Sequence, residues 1–179
     1  MPGYLHHVQW SVADVGQISA KLRREYGMRP VAVREREIVL QCGSVVFLIS
    51  ETQGSIIEYG EADCYPWLSG RTSRDCVFNL CLEVGDVRDC YERMTGLGSL
   101  SISPPRDLET AEGEVSYAVV SSPCHNVTHS LVNTQRYRGL FLPGFKAVEE
   151  SDSVDGCEGG DLLTHVDHGK CCSDMTGLY

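Results

Sequence analysis

Two short stretches with the same pattern decide the fold of this chain: residues 7–15 read HVQWSVADV, and residues 79–87 read NLCLEVGDV. In both, apolar side chains recur at every second position, which is typical of a half-buried β-strand. Both then end in Asp-Val, and aspartate is a favoured N-cap residue of a helix. The chain therefore contains an internal repeat in which a strand leads directly into a helix.

The residues downstream of each stretch complete a common unit. Amphipathic helical patterns cover about 16–26 and 87–94, and Gly27 and Gly96 fit helix-ending positions. Gly43-Ser44 fits a tight turn between two strands. Three strand-like segments follow each helix, at residues 31–34, 38–42 and 45–50 in the first copy and 99–103, 115–121 and 127–132 in the second. The predicted order is βαβββ twice over, an α+β architecture.

Composition excludes several classes of protein. The chain has 179 residues, of which 42% are hydrophobic and 22% charged, as in ordinary globular proteins. This length supports one good core or two small ones. The net charge of -10 argues against general nucleic-acid binding, which needs a basic surface. No apolar run approaches the length that spans a bilayer.

The cysteines indicate a reducing environment. There are nine, an odd number, and none forms a Cys-x-x-Cys pair, which argues against a zinc ribbon or a thioredoxin-type site. Cys42, Cys81 and Cys90 lie among apolar neighbours and are interpreted as buried thiols. No secretory signal peptide is visible, so we expect an intracellular compartment.

Four later segments, in this order along the chain, resemble the 4-hydroxyphenylpyruvate dioxygenase family and, within it, the dioxygenase-like branch. They are NLCLEV at 79–84, YAVVSSP at 117–123, THSLV at 128–132 and YRGLFLPGF at 137–145. The repeated βαβββ unit looks like the vicinal oxygen chelate (glyoxalase/bleomycin-resistance) fold. This resemblance covers about residues 5–168 and corresponds to the N-terminal half of the family. It implies two small sheets that bury one another and enclose a cavity.

The resemblance implies a non-haem Fe(II) oxygenase for the full-length form. Two histidines and one carboxylate would hold the iron and leave positions open for a 2-oxo acid substrate and dioxygen. The implied reaction converts 4-hydroxyphenylpyruvate to homogentisate or 4-hydroxymandelate, in aromatic amino acid metabolism or ubiquinone head-group synthesis. The implied compartment is the mitochondrion, with the cytoplasm as the alternative. The implied partners are this small molecule and a second copy of the chain; association with a membrane surface is left open.

One residue of the chain matches an iron ligand of the family. The segment THVDH at 164–168 resembles the first strand of the catalytic half, where His168 takes the place of a ligand. The other two implied ligands and the substrate pocket have no counterpart in this chain. We therefore expect it to be inactive alone and to bind no cofactor stably. The alternative is a non-catalytic binding or assembly module.

A second alternative is a glyoxalase-type metal site that uses His7. Such sites place ligands on the first and fourth strands of each unit. The repeat aligns His7 with Asn79, a poor ligand, and the predicted fourth strands contain no glutamate; Glu51 and Glu83 lie nearby but not at the usual position. The preferred interpretation is that the strand histidines are bonded to the backbone or to neighbours; these are His6, His7 and His129.

The resulting division of the chain has six parts. They are a first unit at 5–50, a linker at 51–75, a second unit at 76–135, a connecting segment with an acidic linker at 136–163, a stub of the catalytic domain at 164–168 and an atypical tail at 169–179. The period of two stops after His168, and Gly169-Lys170-Cys171 is what an in-frame splice-donor sequence encodes. The hypothesis is that the tail is translated intron in a truncated isoform.

Overall fold

The strand-helix-strand-strand-strand order occurs twice in this computed structural model, which describes residues 3–51, 75–122, 127–148 and 162–168. The first copy contains β1 (Tyr4–Val12), α1 (Val15–Tyr26), β2 (Arg29–Arg34), β3 (Glu37–Cys42) and β4 (Val45–Glu51). The second contains β5 (Cys76–Glu83), α2 (Val87–Gly96), β6 (Ser101–Thr110), β7 (Gly113–Ser121) and β8 (Thr128–Tyr137). The predicted elements are therefore confirmed in type and order.

The helices begin as the sequence predicts. The Asp14 carboxylate accepts a hydrogen bond from a backbone N–H in the first turn of α1 at 2.8 Å, and Asp86 does the same for α2 at 3.0 Å. Gly27 ends α1 in the left-handed conformation, with φ 65°. Gly96, the other predicted helix-ending residue, is the last helical residue of α2, and Leu97 with φ -94° is the C-cap.

All eight described strands form one continuous sheet, in the order β2-β3-β4-β1-β5-β8-β7-β6. β1 pairs antiparallel with β5 at the centre, while β1–β4 and β5–β8 are parallel pairs. The expectation of two separate small sheets is therefore wrong. The backbone hydrogen bonds between β1 and β5 join the two halves edge to edge.

The repeat appears in the structure as a pseudo-twofold axis. In the sequence, Val8 aligns with Leu80, and His7 aligns with Asn79. In the sheet, Val8 is opposite Leu80, His7 is opposite Cys81 and Gln9 is opposite Asn79. Residues that the repeat relates are therefore placed symmetrically about the Val8–Leu80 pair. This pair marks the centre of the molecule.

The helices cover one face of the sheet. Under α1 the buried core includes Val12, Leu40 and Ile49, and under α2 Val87 packs with Ala118 and Leu131. On the opposite face a separate cluster combines sheet residues with the segment that follows β8; its buried members are Ala32, Val39, Leu48, Val115, Leu142 and Phe145.

The structure extends two strands beyond their predicted ends. β6 covers Ser101–Thr110 instead of 99–103, and β8 runs on to Tyr137. Pro104 and Pro105 lie inside β6, which is the edge strand of the sheet, where a missing backbone donor is tolerated. Most of the predicted linker at 51–75, most of the acidic linker and the tail at 169–179 lie outside the described residues. Among the described residues, no helix is long and apolar enough to cross a membrane.

Candidate functional site

The residues that follow β8 close the open face of the sheet. We call residues 139–146 the closing segment. Its end pairs with β2, where Val33 and Lys146 exchange two backbone hydrogen bonds of 2.9 Å. Phe145 is buried, and the guanidinium carbon of Arg34 lies 4.5 Å from the centre of its ring. The segment that carries the strongest part of the family resemblance is thus a cover for the sheet.

A small cavity remains beneath the closing segment. Its open volume is about 40 Å³, and its lining includes His7, Gln9, Asn79, Cys81 and Tyr117. A water molecule needs about 10–15 Å³ by this measure. Pockets that bind small organic molecules are far larger, at about 300–1,000 Å³. The expected cavity therefore exists, but it has room for a few waters or an ion and not for an aromatic 2-oxo acid.

A chain of hydrogen-bonded polar side chains runs alongside this cavity, and its members Arg34, Gln9 and Asn79 line it. Arg34 donates from Nε to the Glu37 carboxylate at 2.8 Å, and Ser50 Oγ donates to its other oxygen at 2.8 Å. Gln9 Nε2 donates to Ser50 Oγ at 3.1 Å, and Asn79 Nδ2 donates to Gln9 Oε1 at 3.1 Å. Each of these buried polar groups already has a hydrogen-bond partner. The chain therefore stabilises the sheet and needs no ligand to satisfy it.

Asn79 connects this chain to the second unit. Its Oδ1 accepts from Thr128 Oγ1 and from the Ser130 backbone N–H, both at 3.1 Å, and its Nδ2 donates to Ser130 Oγ at 2.9 Å. The fourth strands thus contribute Ser50 and Ser130, whose hydroxyls are already hydrogen-bonded to Gln9 and Asn79. The described residues do not assemble the glyoxalase-type set of ligands.

The two nearby glutamates have structural partners. Glu51 forms an ion pair of 3.4 Å with the exposed Arg36. Glu83 is buried and accepts hydrogen bonds from the Thr134 backbone N–H at 2.8 Å and the Thr134 hydroxyl at 3.0 Å. Neither carboxylate reaches the cavity, so Glu83 serves to fix β5 against β8.

A β-bulge brings two adjacent histidines together. The register of β1 against β5 shifts between Leu5 and His7, so His6 is an extra residue in β1. A bulge turns side chains that would alternate toward a common side. Here the two Nδ1 atoms lie 2.8 Å apart, so one ring donates and the other accepts. The interpretation of His6 and His7 as strand histidines bonded to neighbours is confirmed, although the neighbour is the other histidine.

Cys81 completes a group of three potential metal ligands. One ring nitrogen of each histidine and the Cys81 sulfur lie within 4.8 Å of one another. Burial lowers the pKa of His6 to about 4, and burial with the nearby His6 lowers the pKa of His7 well below its usual range. Burial, with Glu83 nearby, raises the pKa of the Cys81 thiol. At neutral pH without metal, both rings are neutral and the thiol is protonated.

An aromatic side chain covers the two histidines. The Phe141 ring centre lies 5.3 Å from that of His6 and 5.0 Å from that of His7. Phe141 in turn packs against Phe145 at 5.1 Å. The sequence predicts His7 as a candidate ligand and Cys81 as a buried thiol, but it does not predict their contact with His6 or this cover.

His168 lies apart from all of these groups. Residues 162–164 contact the β3–β4 turn, where the Leu163 N–H is 3.3 Å from Cys42 Sγ and the Thr164 carbonyl accepts from the Ser44 N–H at 3.4 Å. Residues 165–168, which follow this contact, are exposed to solvent. The His168 side chain is 84% exposed, and its Nδ1 lies 2.8 Å from the carboxylate of Asp167.

Comparison with known proteins shows which proteins the chain is similar to. A scan against protein-family models finds no match. The human 4-hydroxyphenylpyruvate dioxygenase-like protein is 33% identical over 171 residues, and its rat counterpart is 32% identical over 168 residues; each match covers 92% of this chain. The chain is a relative of the 4-hydroxyphenylpyruvate dioxygenase family. It spans 42% of the length of these two dioxygenase-like proteins, so it corresponds to less than half of each.

Solved structures show the fold of this dioxygenase relative. A mutant of 4-hydroxymandelate synthase from Streptomyces coelicolor matches 87% of the chain with a TM-score of 0.64 at 20% identity, over 44% of its own length. Methylmalonyl-CoA epimerase from the same organism matches 76% of the chain with a TM-score of 0.52 at 16% identity, over 98% of its own length. These matches confirm the vicinal oxygen chelate fold.

The iron that the dioxygenase resemblance implies does not fit the described residues. Such iron needs two histidines and one carboxylate around open positions. Among the described residues, His168 belongs to no group of three metal-ligating side chains, and the group that exists contains a thiol and no carboxylate. The role of His168 as an iron ligand therefore stays a prediction.

Proposed function

We propose that this chain is the non-catalytic part of a 4-hydroxyphenylpyruvate dioxygenase-like protein and is inactive by itself. The small volume of the cavity supports this proposal. The closing segment covers the open face of the sheet, and about 40 Å³ remains beneath it. An aromatic 2-oxo acid has no room to bind there, so this cavity supports the fold and does not hold the substrate.

The complete protein, in this proposal, is a non-haem Fe(II) oxygenase. It converts 4-hydroxyphenylpyruvate, with loss of carbon dioxide and incorporation of oxygen, to homogentisate or 4-hydroxymandelate. His168 supplies one iron ligand, and residues that this chain does not contain supply the others. The proposed compartment is the mitochondrion. The similarity to dioxygenase-like proteins over 92% of the chain supports the reaction class.

Turnover measurements test both parts of the proposal. Oxygen uptake and carbon dioxide release are measured with 4-hydroxyphenylpyruvate, Fe(II) and ascorbate, with a complete dioxygenase of the family as the positive control. We expect no turnover by residues 1–179. Turnover above the iron-only blank would contradict the proposal. Sequencing the transcript across the Asp167-His168 codons then identifies any longer form, whose activity should be lost in His168→Ala.

We also propose that the chain associates with a second copy. Two large apolar residues near the end of α2 are exposed, Leu97 by 81% and Leu100 by 66%. Contiguous exposed apolar surface marks interaction sites, and we propose that these two residues contribute to one. Sedimentation velocity should detect a dimer that Leu97→Lys and Leu100→Lys weaken. A wild-type chain that stays monomeric across the accessible concentration range would refute this assignment.

A further inference from the structure

Three side chains with metal-binding chemistry meet at the centre of the sheet. His7 on β1 is directly opposite Cys81 on β5, and the bulge turns His6 to the same place. Their donor atoms lie within 4.8 Å of one another. In a tetrahedral Zn²⁺ site with normal bond lengths, ligand atoms are about 3.3–3.6 Å apart. The most widely separated donor atoms therefore have to approach by up to about 1 Å, while two Nδ1 atoms that both bind the ion have to separate from 2.8 Å.

The chemistry of these donors selects a class of metal ion. Two imidazoles and a thiolate suit zinc or copper, whereas magnesium, calcium and manganese prefer oxygen ligands. The group also differs from the two histidines and one carboxylate of iron oxygenases. Binding would break the 2.8 Å hydrogen bond between the rings and release the Cys81 proton to solvent, so the sulfur binds as a thiolate.

The surroundings provide a fourth position and a barrier to solvent. The cavity of about 40 Å³ is lined by both His7 and Cys81, so it has room for a water on a bound ion. Phe141 packs on the two imidazoles from the closing segment. Three protein ligands and one open coordination position next to a cavity differ from the four protein ligands of a structural zinc site.

We propose that His6, His7 and Cys81 bind one soft or borderline first-row transition metal ion, with Zn²⁺ as the first candidate, and that Phe141 covers the site. The site is separate from the iron of the proposed oxygenase. It requires neither His168 nor any residue beyond the chain.

Metal titration of the complete chain tests this proposal. Metal-depleted protein receives Zn²⁺ against a chromogenic chelator and, separately, Co²⁺, whose charge-transfer absorption reports a bound thiolate. We expect one ion per chain at this site. Cys81→Ser should remove the thiolate absorption, and Cys81→Ser, His6→Gln and His7→Gln should each weaken binding by about 100-fold or more, because even outer partners of metal ligands are worth 10–100-fold.

Matched variants separate this site from other cysteines and histidines. Cys90→Ala removes a half-buried thiol on α2, and His168→Ala removes the exposed histidine; both should leave the titration unchanged. Phe141→Ala should keep the stoichiometry and release the metal faster to the chelator. Circular dichroism identifies variants that fail to fold. If the histidine variants do not fold, the conservative Cys81→Ser variant provides the test of the site. Absence of binding, or binding and thiolate absorption that survive Cys81→Ser in folded protein, would overturn the proposal.

Discussion

His129 occupies a place that the other half of the molecule gives to an aromatic ring. Val8 pairs with Phe47, and its symmetry mate Leu80 pairs with His129. Phe47 packs against Trp10 with ring centres 5.4 Å apart. Burial lowers the pKa of His129, although the backbone of Leu80 partly offsets this. The second half therefore carries a titratable ring at a position suited to an apolar one.

The first prediction is that His129→Phe makes the protein less sensitive to acid. Because the folded-state pKa is lowered, the unfolded chain binds the proton at a higher pH than the folded chain. This histidine therefore costs stability as the pH falls below about 6.5 and costs none well above it. The gap in unfolding free energy between variant and wild type should widen from pH 8 to pH 5. Urea titrations measure it, and equal gaps at both pH values would contradict the prediction.

A control for this prediction lies near the end of the described chain. The His165 side chain is exposed, so replacing it removes no buried ring. His165→Gln should therefore leave the pH dependence as it is in the wild type. A change as large as that of His129→Phe would show that the histidine's burial is not the cause.

The bulge at His6 explains why sequence predicts part of the candidate site and not all of it. Alternation along β1 places His6 and His7 on opposite faces. The extra residue that brings them together depends on the pairing with β5, which lies far away in the sequence. Cys81 is predicted as a buried thiol from its apolar neighbours, and that is confirmed. Its contact with the histidines follows only from the register.

At the scale of elements, the helix caps give a second prediction. Asp14→Ala and Asp86→Ala each leave a backbone N–H in the first turn without its partner. Each variant should lose about 1 kcal/mol of unfolding free energy. Asp14→Ser and Asp86→Ser should stay close to wild type, since serine also caps helices well. Thermal or urea unfolding measures the difference. Equal losses for alanine and serine would show that the side-chain hydrogen bond is not the cause.

The closing segment gives a third prediction. Phe145→Ala should cost about 3–5 kcal/mol, because it removes a buried ring and its contact with Arg34. It should also open the cavity and raise the rate of proteolysis within residues 139–146. Leu140, which is 62% exposed in the same segment, provides the control. Leu140→Ala should change the unfolding free energy by less than about 0.5 kcal/mol. Similar losses for both variants would mean that the segment does not pack as described.

The sequence predicts strands where apolar residues recur in a strong local pattern. It misses strand residues that only pairing with a neighbouring strand keeps in the sheet. β1, β3 and β7 are found because apolar residues recur in short, uninterrupted runs. β6 is only partly found because it contains two prolines and several charges, which an edge strand accepts. The end of β8 is missed for a related reason. Residues 133–137 are mostly polar and are half-exposed or exposed, and pairing with β7 keeps Arg136 and Tyr137 in the sheet.

At the scale of the whole molecule, the sequence predicts the symmetry of the two halves but not how they join into one sheet. The repeat relates Val8 to Leu80, and that relation survives as the pseudo-twofold axis. Whether the halves face one another or join edge to edge depends on hydrogen bonds between β1 and β5. Those bonds link strands that are separated by most of a unit and a linker. The alternating apolar pattern of β1 or of β5 does not indicate that these two strands pair with each other.

The polar chain alongside the cavity couples the two halves and leads to the last prediction. Asn79 bonds to Gln9 in the first unit and to Thr128 and Ser130 in the second. Asn79→Ala leaves these buried groups without a partner, so it should cost about 2–4 kcal/mol, against less than about 0.5 kcal/mol for the exposed Gln135→Ala. Because one side chain serves both units, hydrogen exchange should quicken in β4 and β8 together. Loss of protection in β8 alone would show that the halves unfold independently.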